Sequence, residues 1–279
     1  TGVGAGTLNI TYTMATGCFV TFPMTVNASP TPITGTTSVC VGSTTTLSNS
    51  IGGGTWSSSN TALATVGAGT GIVTGVASGV PTISYVLTAT GCYATTPVTV
   101  NPNPAAIGGT AIACVGSSTT LTNSSSGGAW TSSNTSLATI VSGTGVMTGV
   151  AAGNPVITYT LPTGCFATVI ATINPLPAAI TGTMSVCIGF TTTLSDASAG
   201  GIWSSSNTSI ATVVAGTGVV TGVATGVATI TYALPTGCFA TASVTVNPNP
   251  PAITGTTNVC IGLTTTLFNA TGGGTWSSS

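Results

Sequence analysis

Hydrophobic and polar side chains alternate along most of this chain. In Thr229-Ile230-Thr231-Tyr232-Ala233-Leu234, and again in Ala240-Thr241-Ala242-Ser243-Val244-Thr245-Val246, every second residue is apolar. A period of two puts successive side chains on opposite faces of a strand, so Ile230, Tyr232, Leu234, Val244 and Val246 face a core while Thr and Ser face water. Pro235-Thr236-Gly237-Cys238 between these runs supplies the turn of a hairpin. Shorter alternating runs precede it at Thr191 to Ser195, Ile202 to Ser205, Ile210 to Val213 and Val219 to Val223. Turns rich in Gly or containing Asn separate them, and no stretch carries helical periodicity. About seven short strands at this spacing predict an antiparallel β-sandwich.

The same pattern recurs. Cys40, Cys114, Cys187 and Cys260 each stand sixteen residues before a tryptophan, Trp56, Trp130, Trp203 and Trp276, and the tryptophans are 74, 73 and 73 residues apart. So long a period predicts beads on a string and not a short-period solenoid. Residues 1–27 then read as the C-terminal part of one unit, 28–101, 102–174 and 175–247 as complete units, and 248–279 as the N-terminal part of another. The extra residue of unit 28–101 falls in the turn Leu87-Thr88-Ala89-Thr90-Gly91-Cys92, where an insertion is tolerated. The seams are proline-rich: Ser29-Pro30-Thr31-Pro32, Asn101-Pro102-Asn103-Pro104, Asn174-Pro175-Leu176-Pro177 and Asn247-Pro248-Asn249-Pro250-Pro251. Proline fixes φ near extended geometry, which predicts short, stiff spacers and a semi-rigid string. Thr1-Gly2-Val3 lies seventeen residues before Cys18, as Thr221-Gly222-Val223 does before Cys238. The expectation is a longer array, whose other parts carry the signals for export and anchoring.

Charge narrows the function. The chain has no Lys, Arg or His, and Asp196 is its only acid. Without cations it has nothing to displace counterions from phosphates, so nucleic acid is excluded as a partner. Without a titratable base, general acid–base chemistry and an activated Ser or Cys nucleophile both lack their partner, and the expectation is a non-enzyme with no cofactor. Mean hydropathy is high, at +0.62, yet Thr, Ser or Gly interrupts every apolar run before it reaches membrane-spanning length. Eight cysteines in a chain with no His and no Cys-x-x-Cys pair suit disulfides better than metal, and disulfides place the protein outside the cytoplasm, secreted or on a cell surface.

The succession Trp203-Ser204-Ser205-Ser206-Asn207, Ala211-Thr212-Val213 and Thr217-Gly218-Val219-Val220-Thr221-Gly222-Val223, followed by an alternating strand, resembles the bacterial immunoglobulin-like group 2 domain. The near-identical Thr-rich repeats with Asn-Pro seams are also similar to those of giant secreted surface proteins of Bacteroidota. The resemblance implies tandem seven-stranded immunoglobulin-like sandwiches serving as adhesins or surface stalks, without catalysis. Two departures stand out: this chain lacks charge, and each unit carries two cysteines. Charged partner-binding surfaces of the family therefore have no counterpart here.

In an immunoglobulin-type sandwich the core disulfide joins two strands across the sheets, but Leu194 and Tyr232 occupy those positions. Cys187 instead precedes the first turn and Cys238 sits in the last hairpin turn, at opposite poles. Roughly six residues of strand hold the poles about 20 Å apart, whereas a disulfide requires Cα atoms about 5–6 Å apart. In a head-to-tail string the first turn of one unit lies beside the last hairpin turn of the next. Cys40 is therefore expected to bond Cys165 and Cys114 to bond Cys238, leaving Cys18, Cys92, Cys187 and Cys260 for partners outside this stretch or in other chains. Cys92 with Cys114 across the linker, or pairing inside a unit, are the alternatives.

Other motifs carry less. Gly69-Thr70-Gly71, Gly143-Thr144-Gly145 and Gly216-Thr217-Gly218 precede strands with no Lys following, which reads as a β-turn and not a phosphate loop. Asp196 stands where other units carry Asn49, Asn123 and Asn269, which reads as a turn residue; a calcium site needs several carboxylates. Trp56, Trp130, Trp203 and Trp276 read as core anchors in preference to exposed sugar-stacking platforms. Sheet edges without protective charge and a net charge near zero favour association of the sandwiches side by side. The expected partners are copies of the chain itself, in a homopolymeric filament or lateral bundle, and the Thr- and Ser-covered faces leave room for glycans. The expected role is the structural subunit of an extracellular fibre, the alternative being the stalk of a giant cell-surface adhesin.

Overall fold

The computed structural model describes residues 1–279, and its regular structure is all β, with no helix. Unit 175–247 shows the architecture. One sheet orders Thr181–Gly182, Thr191–Ser195, Val219–Gly222 and Ala211–Val213; the other orders Ser185–Cys187, Phe239–Asn247, Gly226–Ala233 and Ile202–Ser205. Neighbours run antiparallel except Ser185–Cys187, which lies parallel to the end of the last strand with Cys187 opposite Asn247. The eight segments are seven strands, the first split in two: Thr181–Gly182 pairs in one sheet and Ser185–Cys187 in the other.

Alternation in the sequence becomes alternation of burial. Val186, Leu194, Trp203, Val220, Ile230, Tyr232, Val244 and Val246 fill the space between the sheets, while the intervening Thr and Ser face outward. Units 28–101 and 102–174 repeat this with separate cores, around Leu47, Trp56, Ile83 and Tyr85 and around Leu121, Trp130, Ile157 and Tyr159. Each core closes on itself, so each unit folds round its own apolar centre. In unit 28–101 the last strand is interrupted at Val98, between Tyr93–Pro97 and Thr99–Asn101. Unit 102–174 breaks the same way at Ala171, with Ile170 before it. Both breaks lie opposite a proline, Pro81 and Pro155, which has no amide hydrogen to give to the ladder. In unit 175–247 Ala228 stands there instead, and the strand is continuous.

Strand limits differ slightly from those expected. The third core strand begins at Ala211, since the amide of Ile210 bonds the carbonyl of Asn207 in a turn. The hairpin strands run Gly226–Ala233 and Phe239–Asn247, and the amide of Leu234 bonds the carbonyl of Cys238 to close the turn between them.

The two ends lack these layers. Gly6–Thr13 and Phe19–Val26 form a lone hairpin with Ile10, Tyr12 and Phe22 exposed. In residues 248–279 only Thr254–Gly255 and Leu267–Phe268 pair. Trp276, expected as a core anchor like the other tryptophans, is instead 58% exposed. Trp56, Trp130 and Trp203 each pack on a tyrosine about thirty residues later in the sequence, whereas Trp276 packs on none.

Candidate functional site at the stapled junctions

The site begins with the split first strand. Because Ser38–Cys40 runs parallel to Thr99–Asn101, with Cys40 opposite Asn101, the cysteine is carried to the pole where its own unit ends. Cys114 opposite Asn174 and Cys187 opposite Asn247 are placed the same way. The second cysteine of each unit sits in the last hairpin turn, at the other pole. The amide of Leu161 bonds the carbonyl of Cys165 there, and Gly164 takes φ 84° to make the turn.

The poles of successive units meet, and the structure joins Cys40 to Cys165 and Cys114 to Cys238, with Cα atoms 5.6 Å apart in both. Cys165 and Cys238 are buried by this contact. Their sulfurs lie 4.0 Å from the carbonyl oxygens of Asn101 and Asn174, the last strand residues of the preceding units. Those carbonyls also accept the amides of Val41 and Val115, respectively, so each unit's end strand, first turn and neighbour's hairpin converge on one backbone atom. Cys18, Cys92, Cys187 and Cys260 are unbonded. Cys92 nevertheless stands in the same geometry, its sulfur 3.9 Å from the carbonyl oxygen of Asn27.

Asparagines in the seams add polar clamps that the proline pattern did not reveal. Asn103 Nδ2 donates to the carbonyl of Val41 at 2.9 Å, and Asn249 Nδ2 to that of Ile188 at 3.0 Å. Leu176 occupies this position in the seam between them and has no such bond to give. A second set anchors the start of each unit: Asn49 Nδ2 donates to the carbonyl of Thr31 and Asn123 Nδ2 to that of Ala105, both at 2.6 Å. Asp196 replaces the asparagine in unit 175–247. Its Oδ1 accepts the amide of Ser198 at 2.7 Å, as in the turn reading, but its Oδ2 is buried with no partner.

Within each unit the tryptophan and tyrosine brace this anchor. Trp130 and Tyr159 lie with ring centroids 4.8 Å apart. The Tyr159 hydroxyl donates to the carbonyl of Ser125 at 2.6 Å and accepts the amide of Gly128 at 2.9 Å. The glycines around them are sterically required. A Cβ on Gly128 would stand 2.5 Å from the Tyr159 ring, and one on Gly145, at φ 72°, would press on Leu121 O and on the Trp130 indole. The Gly-Thr-Gly stretches are thus turns that let the tryptophan pass. With Trp56, Trp130 and Trp203 only 5–7% exposed, they are not stacking platforms for a sugar.

No group of three or more His, Cys, Asp or Glu is placed to hold a metal ion. No helix is long and apolar enough to cross a membrane.

The fold is that of tandem immunoglobulin-like sandwiches, and the junctions define the class further as one whose neighbouring domains are covalently tied. Residues 94–173 match the family model of the bacterial Ig-like domain (group 2). No curated protein matches the sequence. Among solved structures the chain is similar to domains 1–6 of the surface layer protein SbsC, at 16% identity and a TM-score of 0.26, over 91% of this chain and 47% of that one. It spans about half the length of that relative. A C-terminal fragment of intimin, solved with the intimin-binding domain of its translocated receptor, is similar at 17% identity and TM-score 0.35, over 58% of this chain and 69% of that one. Mouse cadherin-23 EC22–24 is similar at 13% identity and TM-score 0.23, over 80% and 100%. At these TM-scores the likeness says nothing of what this chain binds.

Proposed function

We propose that this chain is non-catalytic structural material, the shaft of an extracellular fibre built from copies of itself. The observation that carries the reading is the pair of disulfides, each tying one sandwich to the next. A binding or catalytic domain needs no such cross-ties, whereas a shaft must keep its beads from bending and separating, and disulfides persist in oxidising settings such as the cell exterior. The surface agrees: the outward positions are mostly Thr and Ser, and with no Lys or Arg anywhere charge does not oppose packing of neighbouring shafts. Cys92 and Cys187 then take the matching cysteines of further repeats, in the same chain or in another.

A second reading, the single-chain stalk of a cell-surface adhesin, is favoured by one feature. The edge strand Tyr93–Pro97 ends in a proline, and proline on an edge hinders strand-to-strand pairing with another chain. Electron microscopy of native material separates the two. Thick filaments of many chains support the fibre, isolated thin strands support the stalk, and freely dissolved single molecules with reduced thiols overturn both.

A further inference from the structure

The staples are longer than the repeat. Each bridges 124 or 125 residues, while the unit repeats every 73 or 74. Consecutive staples must therefore overlap. The first encloses every peptide bond from Cys40 to Cys165, the second every bond from Cys114 to Cys238, and the stretch from Cys114 to Cys165 is enclosed by both.

We propose that this overlap makes the array a covalent ladder with two functions: no single backbone cut between Cys40 and Cys238 separates it, and tension bypasses the seams. A cut in the seam at Asn103 leaves its two sides joined through Cys40–Cys165. A cut in the seam at Leu176 leaves them joined through Cys114–Cys238. The seams are where protection matters, because exposed connecting segments are the usual sites of nicking, and Leu176 is 48% exposed. A disulfide within one unit would leave every seam unguarded, and one between Cys92 and Cys114 would guard a seam but no sandwich. The skip from the first turn of one unit to the last hairpin of the next guards both.

The load path follows from the same connectivity. Force entering before Cys40 crosses to Cys165, runs back through unit 102–174 to Cys114, crosses to Cys238 and leaves. The sandwich residues between Cys40 and Asn101, and those from Pro175 to Cys238, carry none of it. In unit 102–174 the two points of attachment sit at opposite poles, so pulling shears Ile112–Cys114 along its parallel partner Thr172–Asn174. Sheared ladders load their hydrogen bonds together and not one after another. The property depends only on the disulfides, and so belongs equally to a multi-chain fibre and to a single-chain stalk.

The methionines supply the test on the oxidised 279-residue chain. Cyanogen bromide in acid cuts after Met14, Met24, Met147 and Met184, and acid suppresses the thiolate needed for disulfide exchange. Met147 lies under both staples and Met184 under the second. Without reductant, 25–147, 148–184 and 185–279 are expected to migrate as one species, and reductant should release all three. Cys165→Ala should free 148–184 alone, and Cys238→Ala should free 185–279 alone. Release of 25–147 or of 185–279 from the unreduced wild-type digest overturns the ladder, as does a digest of Cys165→Ala in which 185–279 is released as well.

Discussion

Asp196 offers a clean test of the hydrogen-bond anchor at the start of each unit. In two complete units the equivalent asparagine holds a carbonyl eighteen residues earlier through Nδ2, at 2.6 Å. Asp196 has no N–H to offer Ala178, its counterpart, and Oδ2 is left buried and unpartnered. Asp196→Asn restores a donor at a site whose acceptor is already in place. A buried polar atom left unsatisfied costs about 1–3 kcal/mol, so the substitution should stabilise unit 175–247 by that amount. At the lower bound, a domain of this size gains about 4–8 °C in its midpoint. Asn123→Asp in the neighbouring unit should cost about as much, since it breaks the bond to Ala105. The double variant keeps the net charge unchanged, which separates the local bond from any effect of charge on association. Differential scanning calorimetry of the oxidised chain resolves whether the two units move in opposite directions. A midpoint that stays put or falls in Asp196→Asn would refute the reasoning.

Two further substitutions test other parts of the account. Tyr159→Phe keeps the ring against Trp130 but removes the hydroxyl that serves Ser125 O and Gly128 N; unit 102–174 should lose about 1–3 kcal/mol, measured by guanidinium unfolding followed by tryptophan fluorescence. Leu176→Asn should supply the clamp that this seam lacks, bonding the carbonyl of Val115 as Asn103 bonds Val41. The expected result is slower pepsin nicking of that seam in the reduced chain, by a factor set by about 0.5–1.5 kcal/mol, with the seam at Asn103 unaffected.

Much of the architecture is written in local patterns. A period of two over Thr229 to Leu234 fixes which side chains meet the core, and the constant distance from cysteine to tryptophan fixes the repeat. The poles at which Cys40 and Cys165 stand follow from strand count and turn position alone. What local pattern cannot carry is pairing between distant segments. The switch of the first strand from one sheet to the other, with Cys114 laid parallel beside Asn174, depends on a partner some sixty residues away. The tyrosine hydroxyl bonds, across 31 and 34 residues, and the Asn103 clamp, across 62, are likewise long-range contacts, and nothing in their immediate sequence marks them. Trp276 makes the point in reverse. Its local sequence, Gly274-Thr275-Trp276-Ser277, is that of the buried Trp56, yet without a tyrosine strand across from it the ring stays in water.

Stretching single molecules by their ends puts the mechanical claim to the most direct test. Fully extended residues span about 3.4 Å each, so a reduced unit that unfolds entirely releases a contour of roughly 250 Å, before its folded length is subtracted. In the oxidised chain the stretch from Cys114 to Cys165 is the longest that is free to lengthen within a complete sandwich, a contour of roughly 170 Å. Oxidised molecules are expected to show one such long step, and reduced molecules three of the larger size. Three large steps from chains whose disulfides are intact would contradict the account.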